Sequence, residues 1–154
     1  MKPILCLDFD GVLHSYTSGW KGASVIPDPP VPGALQFVVE ALDHFTVAVH
    51  SSRSHQWGGC RAMKRWLRNH LYILGTVRDP VPRWWRDRIA RSSFAEPWND
   101  EVDWAAKLVV KEIRWPLFKP PAMVSLDDRA LTFTGEWPEL DDLKAFKPWN
   151  KRTV

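Results

Sequence analysis

Two aspartates one residue apart, Asp8 and Asp10, end the apolar run Ile4-Leu5-Cys6-Leu7, and Gly11 follows at once. Alternate side chains of an extended chain share a face, so both carboxylates would project the same way from a strand tip. Held that close they repel each other, and a cation relieves the repulsion. A second acidic pair, Asp127-Asp128, ends the apolar run Ala122 to Leu126, and Ser51-Ser52-Arg53 follows the run Phe45 to His50. Converging carboxylates, with no call on histidines or thiols, suit a hard, oxygen-seeking ion such as Mg²⁺, which commonly bridges to a substrate phosphate. The serine hydroxyls, and the amides where the next helix begins, would donate to phosphate oxygens. A lysine in reach would balance the charge: Lys119 lies eight residues before Asp127, with Lys107 and Lys111 on the preceding helix as rivals.

Elements that could position these groups are legible around them. Pro32-Gly33 opens a helical pattern through Leu35, Val38, Val39 and Leu42 that ends near His44. Strand, helix, strand implies a parallel pair, and in an open parallel sheet ligands bind beyond the carboxyl ends of the strands, where all three clusters fall. Met63, Trp66, Leu67, His70, Leu71 and Leu74 mark one face of a long helix, with Arg61, Lys64, Arg65 and Arg68 on the other and Gly75 as its stop. Val102, Ala105, Ala106, Val109 and Ile113 mark a further helix, and Leu131-Thr132-Phe133 reads as a short further strand. Residues 12–32, with His14, Trp20, two glycines and four prolines, read as a flap loop crossing the end of the first strand, whose Trp20 would shade the site. Residues 76–100 are punctuated by Pro80, Pro82 and Pro97 and read as a small lid or rim around a short helix, Trp84 to Arg91; residues 144–154 read as a loose tail.

With 154 residues, 45% hydrophobic and 25% charged, the chain has the size of one domain with its own core. Cys6 and Cys60 are too few and too far apart for a disulfide framework, which fits a reducing cytoplasm. The first apolar run is too short for a signal-peptide core and no later run approaches a membrane span, so no membrane partner is expected. The net charge is only +3, but Arg61 through Arg91 holds nine Lys or Arg against Asp79 and Asp87. Such a stretch reads first as a solvated face with tryptophans packed beneath it; basic residues interleaved with aromatics also fit phosphate backbones and bases.

Asp8-Phe9-Asp10-Gly11-Val12, the strand ending in Ser51, the later lysine and Asp127-Asp128 together resemble, in order, the four motifs of the haloacid dehalogenase superfamily of phosphohydrolases. The stretch from Lys119 to Arg129 looks like small capless members found in phage and bacterial genomes. The resemblance implies an α/β, three-layer Rossmann-like fold around a mostly parallel sheet with no large cap. It makes Asp8 the nucleophile that takes the phosphoryl group and Asp10 the general acid, then base. It makes Ser51 the phosphate-binding hydroxyl helped by Ser52, and Lys119 the phosphate-binding lysine. It places Mg²⁺ on Asp8, Asp127, Asp128 and the Asp10 carbonyl. Arg53, Arg129 and Trp20 are candidate substrate contacts. The expected activity is phosphomonoester hydrolysis on a small molecule or a nucleic-acid end; the alternative is a nucleic-acid or phosphoprotein binding module with little turnover.

Overall fold

Apolar runs with few polar interruptions, such as Ile4–Leu7 and Thr46–Val49, suit strands covered on both faces, which is what a parallel sheet requires. The computed structural model describes residues 1–92 and 98–152 and bears this out. Its sheet has three parallel strands in the order β2-β1-β3, formed by β1 (Ile4–Leu7), β2 (Thr46–Val49) and β3 (Val124–Leu126). Ile4 faces Thr46 and Leu7 faces Val49 on one side, while Leu5 faces Val124 and Leu7 faces Leu126 on the other. Arg114 extends the far side of β2, its N–H donating to Val47 O and its carbonyl accepting from Val49 N, each at 2.9 Å. The molecule is thus mixed α/β, with β1 at its centre.

The first crossover is α1 (Ala34–His44), which buries Val38, Val39, Ala41 and Leu42. The second is longer and runs through α2 (Gly59–Thr76), α3 (Arg83–Ser92) and α4 (Trp98–Glu112). Met63, Trp66, Leu67 and Leu71 face the core from α2 as their spacing demands; His70 and Leu74 are only half-buried. Gly75 does not stop the helix, which continues through Thr76. A Cβ there would lie 2.6 Å from Val102 Cγ1 and 3.0 Å from Trp85 Nε1, so the glycine serves the close approach of α2 to α4 and α3.

Within the rim expected over residues 76–100, α3 packs into the core, while residues 77–82 before it form no helix and bury no residue. Trp85 and Ile89 are fully buried, and the Trp85 indole N–H donates to Leu71 O at 3.0 Å. Arg88 is turned to Glu112 and Asp43. The tryptophan and isoleucine gain more from burial than they would at a solvated rim, roughly 1.5–3 kcal/mol for a large apolar side chain. Residues 93–97 of that expected rim, Pro97 included, lie outside the described residues.

After β3 the chain is largely exposed. Leu131-Thr132-Phe133 forms no strand, and α5 (Leu140–Ala145) buries no residue. The tail nevertheless returns to the core: the Trp149 indole N–H donates to Gly11 O at 2.7 Å, and Asn150 Nδ2 reaches Ser15 O at 3.3 Å. Residues 12–32 are a loop, as expected, closed at its base by Ser15 N to Pro29 O at 3.0 Å and Val31 N to Leu13 O at 2.8 Å. No helix among the described residues is long and apolar enough to cross a membrane.

Candidate active site at the strand tips

Three parallel strands that end level with one another bring their following loops together. His50 N donates to Leu7 O at 3.0 Å and Asp8 N donates to Leu126 O at 2.9 Å, so the chain leaving β1 is bonded to both neighbours at the point where the carboxylates begin. A cavity of about 310 Å³ opens there, lined by Asp8, Asp10, Ser51, Ser52, Lys119, Asp127 and Arg129, together with Cys6, Tyr16, His50, Ser125 and Leu126. Of the three candidate lysines only Lys119 lines this cavity; Lys107 is paired with Asp103 on α4 at 2.7 Å.

Asp8, Asp127 and Asp128 each present a carboxylate oxygen within 4.8 Å of the others. Their neighbours fix them. Asp8 Oδ1 accepts the Phe9 N–H at 2.7 Å, while Phe9 itself is buried against the Trp66 ring, 5.0 Å between centroids. Asp127 Oδ1 accepts the Arg129 N–H at 2.9 Å, a turn that folds the chain back beneath the acid. Gly11, with φ +84°, leaves space that a Cβ would take from the Asp128 carboxylate. Among the described residues both oxygens of Asp128 are buried with no hydrogen-bond partner; its side chain is 1% exposed, and Arg129 Nε lies 3.8 Å from Oδ2.

A buried carboxylate without donors is costly, and two further carboxylates beside it raise that cost. Burial, with lesser contributions from Asp127, Asp128 and Asp10, pushes the Asp8 carboxyl up to about 7 against the partial relief of the Phe9 N–H. Asp128 is raised as well, first by burial. A divalent cation with a preference for oxygen would supply the missing charge, and the donor set, three carboxylates with no thiol or imidazole among them, fits such an ion.

Asp10 behaves differently from its neighbours. Its Oδ1 lies 2.8 Å from His14 Nδ1 and its Oδ2 accepts from Arg53 Nε at 2.8 Å, so its carboxylate stands apart from the acidic cluster. Burial alone would raise it, but the hydrogen bonds from His14 and Arg53 outweigh that and hold it below the usual carboxylate range. The Asp28 amide donates to His14 Nε2 at 3.1 Å. An amide can only donate, so Nε2 carries the lone pair and Nδ1 carries the proton offered to Asp10.

Ser51 sits in a tight turn: its N–H donates to Ser54 Oγ at 3.0 Å, its Oγ accepts the Arg53 N–H at 3.3 Å, and Ser54 N donates to Ser51 O at 2.9 Å. Ser51 and Ser52 line the cavity together with Lys119. Arg129 also reaches it, its guanidinium 5.8 Å from the Tyr16 ring. Arg53 does not serve as the expected substrate contact, because its side chain is fully buried between Asp10 and the flap. Trp20 lies over that guanidinium at 4.6 Å and is absent from the cavity wall.

Cys6, Tyr16, His50, Ser125 and Leu126 of the wall were not singled out from the sequence as parts of a site. Tyr16 has a left-handed backbone, φ 58°, unusual for a residue with a Cβ and typical of strained functional loops. His50 lines the cavity, and burial lowers its imidazole below the ordinary value. A histidine directly before the serine turn was a usable signal; nothing in the sequence around Tyr16 marked it. Comparison of the chain with protein-family models, with curated proteins and with solved structures gives no match.

Proposed function

We propose that this chain is a Mg²⁺-dependent phosphomonoesterase with a haloacid-dehalogenase-like, Rossmann-like architecture and no large cap, acting through an aspartyl-phosphate on Asp8. The observation that carries the reading is the convergence of Asp8 and Asp127 on the buried Asp128 carboxylate, which has no hydrogen-bond partner among the described residues, with Asp8 and Asp127 lining a cavity that also holds Ser51 and Lys119. Asp8, Asp127, Asp128 and the Asp10 carbonyl would hold Mg²⁺, which when bound neutralises the carboxylates and draws charge from the phosphoryl oxygens.

The chain's own groups do the rest. Lys119 and the Ser51 and Ser52 hydroxyls hold the phosphoryl oxygens and aim phosphorus at Asp8. An Asp8 oxygen forms a bond to phosphorus as the ester P–O bond breaks, and Asp10 gives a proton to the departing oxygen. Water then attacks phosphorus, Asp10 takes its proton, the bond to Asp8 breaks and inorganic phosphate leaves. The two carboxyls stand in opposed environments: burial raises Asp8, so its attack needs the cation to favour the ionised form, while His14 and Arg53 hold Asp10 below the usual range, so it is ionised to take the proton of water and must be loaded with a proton before it acts as acid.

A phosphate-binding module without turnover is the weaker reading, because three carboxylates in the cavity repel phosphate unless a cation covers them. The test is phosphate release from p-nitrophenyl phosphate by the purified protein with Mg²⁺. Activity should stop with chelator and with Asp8→Asn; turnover that persists without metal, or in the Asp8 variant, overturns the mechanism. A screen of sugar phosphates, nucleotides, phosphopeptides and 3′- or 5′-phosphorylated oligonucleotides then separates small-molecule from nucleic-acid substrates.

A further inference from the structure

Both oxygens of Asp10 are held by residues that the flap in turn holds. Arg53 is fully buried, and its Nη1 donates to the carbonyls of Gly22 and Ala23 at 2.8 Å and of Val25 at 3.2 Å. Trp20 covers its guanidinium face. On the other side, His14 is fully buried and its Nε2 is fixed by the amide of Asp28, whose carboxylate caps Ser18 through the amide at 2.8 Å and the hydroxyl at 2.5 Å.

We propose that Arg53 is a positioning residue that ties the orientation of Asp10 to the seating of the flap, so that the carboxylate is aimed for proton transfer only while residues 20–25 hold the guanidinium. The inference rests on the reading of Asp10 as the proton carrier. Its physical basis is geometric. A carboxylate with one oxygen on Nε and the other on an imidazole has no free rotamer, and Nε is itself aimed by three carbonyls on one Nη. A residue that only stapled the flap would have no need to spend Nε on the acid.

The experiment separates positioning from stability by leaving group. 2,4-Dinitrophenolate departs without a proton, whereas phenolate needs one, so the first-turnover burst is measured with both aryl phosphates. For Arg53→Gln the phenol burst should slow by about 100-fold, the scale of lost acid catalysis, with KM within a few-fold and with the dinitrophenol burst slowed less than tenfold. Arg53→Lys, which keeps a buried cation, should recover part of the phenol rate. Equal slowing for both leaving groups would mean that Arg53 acts only on the fold, and would overturn the proposal.

A second arm does not use turnover. In Asp10→Asn the bond to Arg53 loses its charge, and amide exchange at Val25, whose N–H donates to Gly22 O inside the segment that Arg53 Nη1 holds, should quicken about tenfold if flap and acid are coupled through Arg53. Unchanged flap exchange overturns the coupling. Wild-type protein that releases no phosphate refutes the phosphatase reading alone, and the exchange arm still decides whether Arg53 joins Asp10 to the flap.

Discussion

The Asp128 carboxylate occupies the space that a Cβ on Gly11 would fill. The turn after β1 and the acid after β3 therefore fit only in one combination: a left-handed glycine beside a buried aspartate. Gly11→Ala should strain the backbone by roughly 1–3 kcal/mol and push Asp128 out of the cluster. Thermal melting with and without Mg²⁺ checks it, with a lower metal-free Tm and a much smaller rise on adding the ion expected.

Asp128→Asn should act on the metal-free and metal-loaded states in opposite directions. Removing a buried charge that has no hydrogen-bond donor among the described residues relieves repulsion with Asp8 and Asp127, so the metal-free variant should melt at least as high as the wild type. Its Mg²⁺-induced stabilisation should vanish, together with metal-dependent phosphate release. A metal-free Tm clearly below wild type would contradict the electrostatic account of this site.

The two acids of the first strand tip should give opposite pH signatures. Asp8 is raised to about 7 in the folded chain, so relative to an unfolded aspartate near pH 3.9 its contribution favours folding at low pH and is lost as pH rises toward about 7. Asp10 is lowered, so its contribution is present above the unfolded value and is lost only as pH falls through its depressed folded value. Because Mg²⁺ requires the ionised Asp8, the gain in Tm on adding the ion should be small at pH 5 and grow through pH 8. A gain independent of pH over that span would place the ion elsewhere.

The lysines can be told apart kinetically. Lys119→Met should lower kcat/KM for aryl phosphate by about 10- to 100-fold, since it removes the one lysine that lines the cavity, a loss of roughly the 1.5–3 kcal/mol of a charged hydrogen bond. Lys107→Met loses only a partly exposed pair with Asp103 and should leave kcat/KM unchanged. Equal losses in both variants would contradict the assignment.

Much of the architecture was legible because its signals are local. Apolar runs ending in acids or serines mark strand tips, and helical spacing marked α1, α2 and α4 before any contact was known. Leu131-Thr132-Phe133 carried a strand's residue types, yet pairing needs a neighbour with free backbone groups, which no local pattern encodes. Gly75 was misread for the same reason: a C-terminal stop and a close helix crossing use the same residue, and only Val102 on α4 distinguishes them. The Trp and Arg content of residues 83–92 suggested a rim, but burial of Trp85 and Ile89 was decided by α4 and α1 packing beside them.

By itself the sequence determined which side chains stand at strand ends, because alternation and the residues that stop a strand are properties of a few neighbouring residues. It also restricted the metal donors to oxygen. Tertiary structure alone decided which acids share a site and which one is set apart. Asp8 and Asp10 are near-identical in sequence context, but one meets two carboxylates from 120 residues away and the other meets an arginine and a histidine. Their opposite electrostatics arise because burial, with the neighbouring carboxylates adding to it, raises one while hydrogen bonds from His14 and Arg53 lower the other, and both settings exist only when the three strands align and the flap closes over Arg53.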